Sequence, residues 1–175
     1  RQNEPGVVVA WAAGRWPPGT EVRLTNAGFE DGETGWTASE GVIAKGGEPA
    51  ARTGHWRAWL GGHGEKRIDK LSQDLTVPSD AEAASATFYL HVETEEEAMD
   101  PYDYLRVRVR DLHGKLLKTV ATFSNVDAAT GYHRQTIDLT GYLGRTIRLS
   151  FESSEDGASS TSFVVDDVRL VAKKP

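Results

Sequence analysis

The 175-residue chain contains no cysteine and a single methionine. Without a thiol there is no disulfide framework, cysteine nucleophile, iron–sulfur cluster or cysteine-ligated zinc, and the redox compartment stays open. Long apolar runs are missing too. The longest, residues 7–13 (Val-Val-Val-Ala-Trp-Ala-Ala), falls far short of the roughly 18 residues that span a bilayer, so no membrane insertion is expected. Positive charge is in deficit: 20 Lys and Arg against 26 Asp and Glu leave a net charge of −6, the wrong sign for a surface that tracks a nucleic-acid backbone. Apolar residues almost nowhere recur at three- and four-residue spacing beyond two turns, which argues against long helices. The sequence has no His-Glu-x-x-His, Gly-x-Ser-x-Gly, phosphate-loop or dinucleotide-binding glycine motif, and its five histidines (55, 63, 91, 113 and 133) are scattered. No independent catalysis is expected.

What is present suits one folded domain. Hydrophobic residues make up 38% and charged residues 26% of the chain, enough apolar material for a core at a length that fits a single domain. Period-two alternation dominates. Ala86, Phe88, Leu90 and Val92 share one face of segment 84–94, and Leu105, Val107 and Val109 share one face of 102–110 with Arg106, Arg108 and Arg110 opposite; both read as half-buried strands. Gly114 then closes a hairpin turn. Further strands are expected at 21–25, 36–44, 55–60, 68–77, 115–123, 132–139, 146–152 and 161–171. So many short strands with turn signals between them predict an all-β fold, a two-sheet antiparallel jelly-roll β-sandwich. Residues 1–20, punctuated by Pro and Gly around Trp11 and Trp16, read as a linker or extra edge strand, 21–172 as the jelly-roll domain and 173–175 as a tail. The chain begins at Arg1 rather than Met, as a processed product or an excised piece would.

Three groups of residues carry chemistry. In the last strand Val164, Asp166, Val168 and Leu170 alternate in phase, which predicts that Asp166 points into the core. A buried carboxylate needs a counter-charge, either an arginine or a hard cation held by oxygens, for which calcium is the best candidate. In 55–60 the alternation puts Trp56, Ala58 and Leu60 on one face and Arg57 and Trp59 on the other. One indole therefore leaves the core, and Trp59 becomes a candidate platform for stacking a sugar ring, the alternative being that it packs against a covering loop or the N-terminal segment. Finally, if 84–94 pairs with 102–110 through the 95–101 loop, Tyr89, His91 and Glu93 neighbour Tyr104, Arg106 and Arg108 and form either a polar ligand groove or a set of cross-strand charge pairs.

The Asn26-Ala-Gly-Phe-Glu30 start, followed by Gly35-Trp36-Thr37 and, far downstream, by Phe163-Val-Val-Asp166-Asp-Val-Arg-Leu170, resembles the galactose-binding-like jelly rolls, to which many non-catalytic carbohydrate-binding modules belong. A longer pattern over about 26–172 includes Gly54-His-Trp-Arg-Ala-Trp-Leu-Gly-Gly62, Phe88–Glu95, Tyr102-Asp-Tyr-Leu105 and Thr122-Phe-Ser-Asn125. It is similar to accessory domains appended to secreted bacterial peptidases, both kumamolisin-like serine-carboxyl peptidases and metallopeptidases. The resemblance implies a secreted, non-catalytic module with a structural calcium ion, held by Glu30 and Asp166 with Asn26 and the backbone near Gly54 as further ligands; the charged strand faces, for their part, argue for a monomer. Its implied partners are a glycan and the catalytic domain of a parent enzyme. The alternative it implies is a structural domain that positions a neighbouring catalytic domain without any free ligand site.

Overall fold

A computed structural model describes residues 24–97 and 99–173, together with the backbone of segments 7–8 and 19–22; Trp11 and Trp16 lie outside the described residues. In chain order the strands are β1 (Val7–Val8), β2 (Gly19–Val22), β3 (Thr37–Ala38), β4 (Ile43–Lys45), β5 (Trp56–Gly61), β6 (Arg67–Thr76), β7 (Ala83–Thr94), β8 (Tyr104–Arg110), β9 (Leu116–Ser124), β10 (His133–Asp138), β11 (Thr146–Glu155) and β12 (Thr161–Lys173). They form two antiparallel sheets. Sheet one runs β1-β2-β12-β5-β4, with β7 on the other side of β12 and β10 beyond it, and sheet two runs β3-β6-β11-β8-β9. This is the jelly-roll sandwich the alternation predicts.

Alternation explains why these segments are strands and which face each one buries. In β8, Leu105, Val107 and Val109 are fully buried while Tyr104 and the three arginines are half-exposed. Across the sandwich, Phe88 of β7 packs edge-to-face on Phe151 of β11 at 5.1 Å and on Phe123 of β9 at 6.3 Å. A single ring thus pins the two sheets together through the edge-to-face geometry that aromatic quadrupoles favour. The expected strand at 36–44 is instead two short ones: β3 pairs with β6 in sheet two and β4 with β5 in sheet one. The chain changes sheets between them at Gly41, which takes a φ of +81°, a conformation that glycine adopts without steric penalty.

The structure overturns two sequence expectations. Asp166 does not face the core. It stands opposite Tyr89 on β7, and Val164 stands opposite His91, whereas Phe163 and Val165 belong to the core. A bulge between Asp166 and Arg169, with Asp167 at φ +53°, inserts a residue and returns Val168 and Leu170 to the core face. A bulge shifts the two-residue period by one, so the apparent phase from Val164 to Leu170 conceals a change of face. The second correction concerns β7 and β8. They lie in different sheets, β7 beside β10 and β12 and β8 beside β9 and β11. Tyr89, His91 and Glu93 therefore never share a groove with Tyr104 and Arg106.

Candidate functional site

The outward face of sheet two is a polar groove built on rigid strands. Three cross-strand rows set it out: Lys70, Glu152 and Arg106; then Ser72, Ser150 and Arg108; then Asp74, Arg148 and Arg110. Strand β3 and the turn at Gly114 border a cavity of about 390 Å³ over this face, floored by Ser72, Ser150 and Glu152. Glu152 is its centre. The carboxylate accepts from Arg108 Nη1 at 3.0 Å, from Arg110 Nε and Nη2 at 2.8 and 3.0 Å, and from the Ser150 hydroxyl at 2.8 Å. Burial pushes Glu152 up, but the bonds from Arg110, Ser150 and Arg108 outweigh it and hold the pKa at about 2. Charge-assisted bonds of this kind favour the ionised form and lock both partners in place. At the end of the groove the Arg106 guanidinium lies 4.4 Å from the Tyr104 ring centroid.

A second feature surrounds Trp56, which is half-buried between a cavity of about 570 Å³ beside Lys45, Gly47 and His55 and one of about 560 Å³ beside Gly32, Glu40 and Ile43. Glu30 orders this corner by accepting the amides of His55 and Trp56 at 2.9 and 3.0 Å. Gly54, at φ +65°, gives the Glu30 carboxylate its room, because a Cβ there would collide with it.

The ligand-binding residues expected from the sequence fall on opposite faces of the sandwich. Tyr104 and Arg106 lie on the outward face of sheet two, Arg106 opposite Glu152 and Tyr104 opposite Ser154, outside the lining of the cavity. Tyr89, His91, Glu93 and Trp59 lie on the outward face of sheet one. There Tyr89 lies under the Arg52 guanidinium at 3.3 Å, His91 packs on Tyr132 at 5.5 Å, and Glu93 is exposed. Trp59 is half-buried, its indole nitrogen enclosed without a hydrogen-bond partner. Arg57, beside it and 1% exposed, donates to the carbonyls of Pro49 and Ala44 and so fastens the covering loop. The Arg57 guanidinium lies 5.2 Å from the Trp59 ring centroid.

The calcium ligands expected from the resemblance are each engaged with backbone. Asn26 organises its own turn, donating to the carbonyls of Gly32 and Thr34 and accepting the Asp31 amide. Glu30 holds the two amides named above. Asp166 accepts the amides of Arg52 and Thr53 on Oδ2 at 2.9 and 3.2 Å and that of Asp167 on Oδ1 at 2.8 Å. Arg52 pairs with Asp167, not with Asp166. Burial and then the charge of Asp167 push Asp166 up to about 7 despite the three amides. Asp166 is thus a buried carboxylate whose charge its burial and Asp167 disfavour, with both oxygens turned to backbone amides. Among the described residues three other carboxylates converge: one oxygen each of Glu96, Asp103 and Asp156 lies within 4.8 Å of the others. Asp103 is fully buried and accepts from Thr161 Oγ1 and the Asp156 amide. Burial and these two neighbours push Glu96 up.

Sequence reasoning passed over Glu152, Ser150 and Ser72. Their signal was available in β11, where Arg148, Ser150, Glu152 and Ser154 occupy alternate positions as a polar stripe opposite Ile147, Leu149 and Phe151.

No protein-family model matches the chain, and no curated protein does. Solved structures do. TmCBM61, described in complex with β-1,4-galactotriose, shares 20% identity over 84% of this chain and 95% of its own, with a TM-score of 0.58. The CBM22-1 xylan-binding domain of Paenibacillus barcinonensis Xyn10C shares 20% identity over 85% and 92%, at 0.52. The chain has the fold of carbohydrate-binding β-sandwich modules. The same jelly roll also serves a cyclase from Fischerella sp. TAU, 15% identical over 89% of this chain and 98% of that one, at 0.56. Fold is therefore common ground, and function has to be argued from the side chains.

Proposed function

We propose that this chain is a non-catalytic glycan-binding module that seats a polysaccharide along the outward face of sheet two. The observation that carries the reading is the open cavity over Ser72, Ser150 and Glu152, whose polar groups are fixed before any ligand arrives. Pre-ordered hydrogen-bonding groups on a strand floor suit the hydroxyls of an extended sugar chain, since little ordering entropy remains to be lost on binding. Glu152 suits binding better than catalysis. Held at about pKa 2 by its arginines, it has no proton to give a leaving group at neutral pH. The glycan-bound and xylan-binding neighbours support the same reading. Within a secreted parent enzyme, such a module raises the local substrate concentration through its tether rather than by turnover.

The test is a screen of the folded domain against soluble and insoluble polysaccharides, with Ser72→Tyr as control. Ser72 faces the groove and not the core, so the tyrosine is expected to abolish saturable binding while leaving the melting temperature within about 2 °C. Silence across the screen from a folded wild-type protein would overturn the reading in favour of a structural domain that packs on its neighbour.

A structural calcium ion anchored by Asp166 belongs to the same proposal. Chelation is expected to lower the melting temperature by several degrees, and Asp166→Asn to abolish that sensitivity. If the sensitivity survives in Asp166→Asn and disappears in Asp103→Asn, the ion sits on the Glu96, Asp103 and Asp156 carboxylates instead. A wild-type protein indifferent to chelator has no structural calcium.

A further inference from the structure

The charge of the groove opposes that of the chain. Overall the protein carries six more acidic than basic side chains, yet five cations face the outward surface of sheet two: Lys70, Arg106, Arg108, Arg110 and Arg148. Against them stand Glu152 and Asp74, with Asp111 at the turn beyond. The carboxylates do not consume all of this charge. Arg110 is fully engaged, with Glu152 and the Gly114 carbonyl, and Arg148 forks onto Asp74. Arg108 divides its bonds between Thr119 and Glu152. Lys70 and Arg106 have no carboxylate partner among the described residues: Lys70 is exposed, and Arg106 reaches only the Ser154 hydroxyl at 3.5 Å and the Tyr104 ring. These two stand on the strands either side of Glu152, so their Cα atoms are about 10 Å apart across β11.

Resting on the glycan reading above, we infer that the ligand is an acidic polysaccharide, with Lys70 and Arg106 as the residues that select its anionic groups. Glu152 holds Arg108 and Arg110 rigid and neutralises part of their charge. Lys70 lines the cavity and Arg106 stands across Glu152 on the same outward face, just beyond the lining; a carboxylate or sulfate on successive units of a chain lying over this face meets the two cations. A neutral glycan finds the same hydroxyl-reading floor but gains nothing from this pair. Concentrating positive charge in one groove of an acidic protein steers anions to that groove and away from the rest of the surface.

The experiment is titration calorimetry of the whole chain at pH 7 with three probes of matched length: oligogalacturonate, a sulfated glucan and neutral galactan oligosaccharides. At least one acidic probe is expected to bind ten-fold or more tightly than the galactan at low salt. That preference should shrink toward unity as ionic strength rises to about 0.5 M, where the screening length falls to a few ångströms. Whether the carboxylated or the sulfated probe leads identifies the anionic group. Lys70→Gln and Arg106→Gln are each expected to weaken acidic binding three- to ten-fold more than they weaken neutral binding, and Lys66→Gln, on the turn between β5 and β6 away from the groove, to change neither. Galactan bound as tightly as the acidic probes, with Lys70→Gln and Arg106→Gln silent, overturns the charge selection and leaves the glycan reading standing. Failure of both acidic probes with folded protein overturns the acidic-ligand inference, and the glycan reading then stands or falls with the polysaccharide screen above.

Discussion

Glu152→Gln is expected to cost about 3 kcal/mol of stability at neutral pH and to flatten the acid limb of the pH–stability curve. The carboxylate is 7% exposed, and its bonds to Arg110, Ser150 and Arg108 hold it at about 2 against an ordinary 4.5. A shift of that size corresponds to about 3 kcal/mol of preferential interaction with the ionised form. Its sign follows from proton uptake. Below about pH 4.5 the unfolded chain takes up a proton at this position, while the folded chain resists until about pH 2. The stabilisation is therefore fully present above pH 4.5 and is lost as pH falls from 4.5 toward 2. Melting temperatures of wild type and Glu152→Gln measured from pH 7 to pH 2 should converge at the acid end. Parallel curves with no gap at neutral pH would show that the arginine cage contributes nothing. The amide keeps the shape of the side chain but leaves two guanidinium groups without their counter-charge, so glycan affinity should fall along with stability, because the groove floor is no longer held in one arrangement.

The second large effect lies on the opposite side of sheet two. Phe88→Ala is expected to destabilise the domain by about 3–5 kcal/mol, since it removes a fully buried ring and leaves a cavity between the sheets. Loss of the two edge-to-face contacts with Phe151 and Phe123 places the effect toward the top of that range. For a chain of this length the melting temperature should drop by roughly 10 °C or more. Ile68→Ala is the matched control. Ile68 is apolar too, but the alternation of β6 turns it outward, 64% exposed, so its loss should fall within about 0.5 kcal/mol. Equal costs for the two variants would mean that Phe88 does not bridge the sheets.

These two residues also show how far the linear pattern reaches. Phe88 and Glu152 both sit in clean alternations, and the inward face of one strand and the outward face of the other can be read directly from them. Which strands stand side by side is a separate matter. The proposal that Tyr89, His91 and Glu93 meet Tyr104 and Arg106 assumed that strands adjacent in sequence pair in space. In this jelly roll the connection after β7 crosses to the other sheet, so Glu152, 46 residues after Arg106 in the chain, is the residue opposite it. Arg106, Arg108 and Arg110 were visible as an outward row. Their counter-charge was not, because it arrives from a strand distant in sequence.

Asp166 marks the other limit. Its buried, charge-demanding character was legible, since a carboxylate amid Phe163, Val164, Val165 and Val168 is surrounded by apolar neighbours whichever way it turns. Its direction was not, because a bulge of one residue reverses the phase and leaves no mark in the spacing of the apolar residues. The sequence by itself determined the all-β class, the positions of the long strands from β5 onward and the inward and outward faces of the regular ones, because side-chain direction within a strand is a local consequence of the pleat. Only the tertiary structure decided which outward faces lie together, where the bulge turns Asp166, and that a cationic groove forms around Glu152. Strand neighbours and register are set by long-range pairing and by the closure of one core, and no local pattern encodes them.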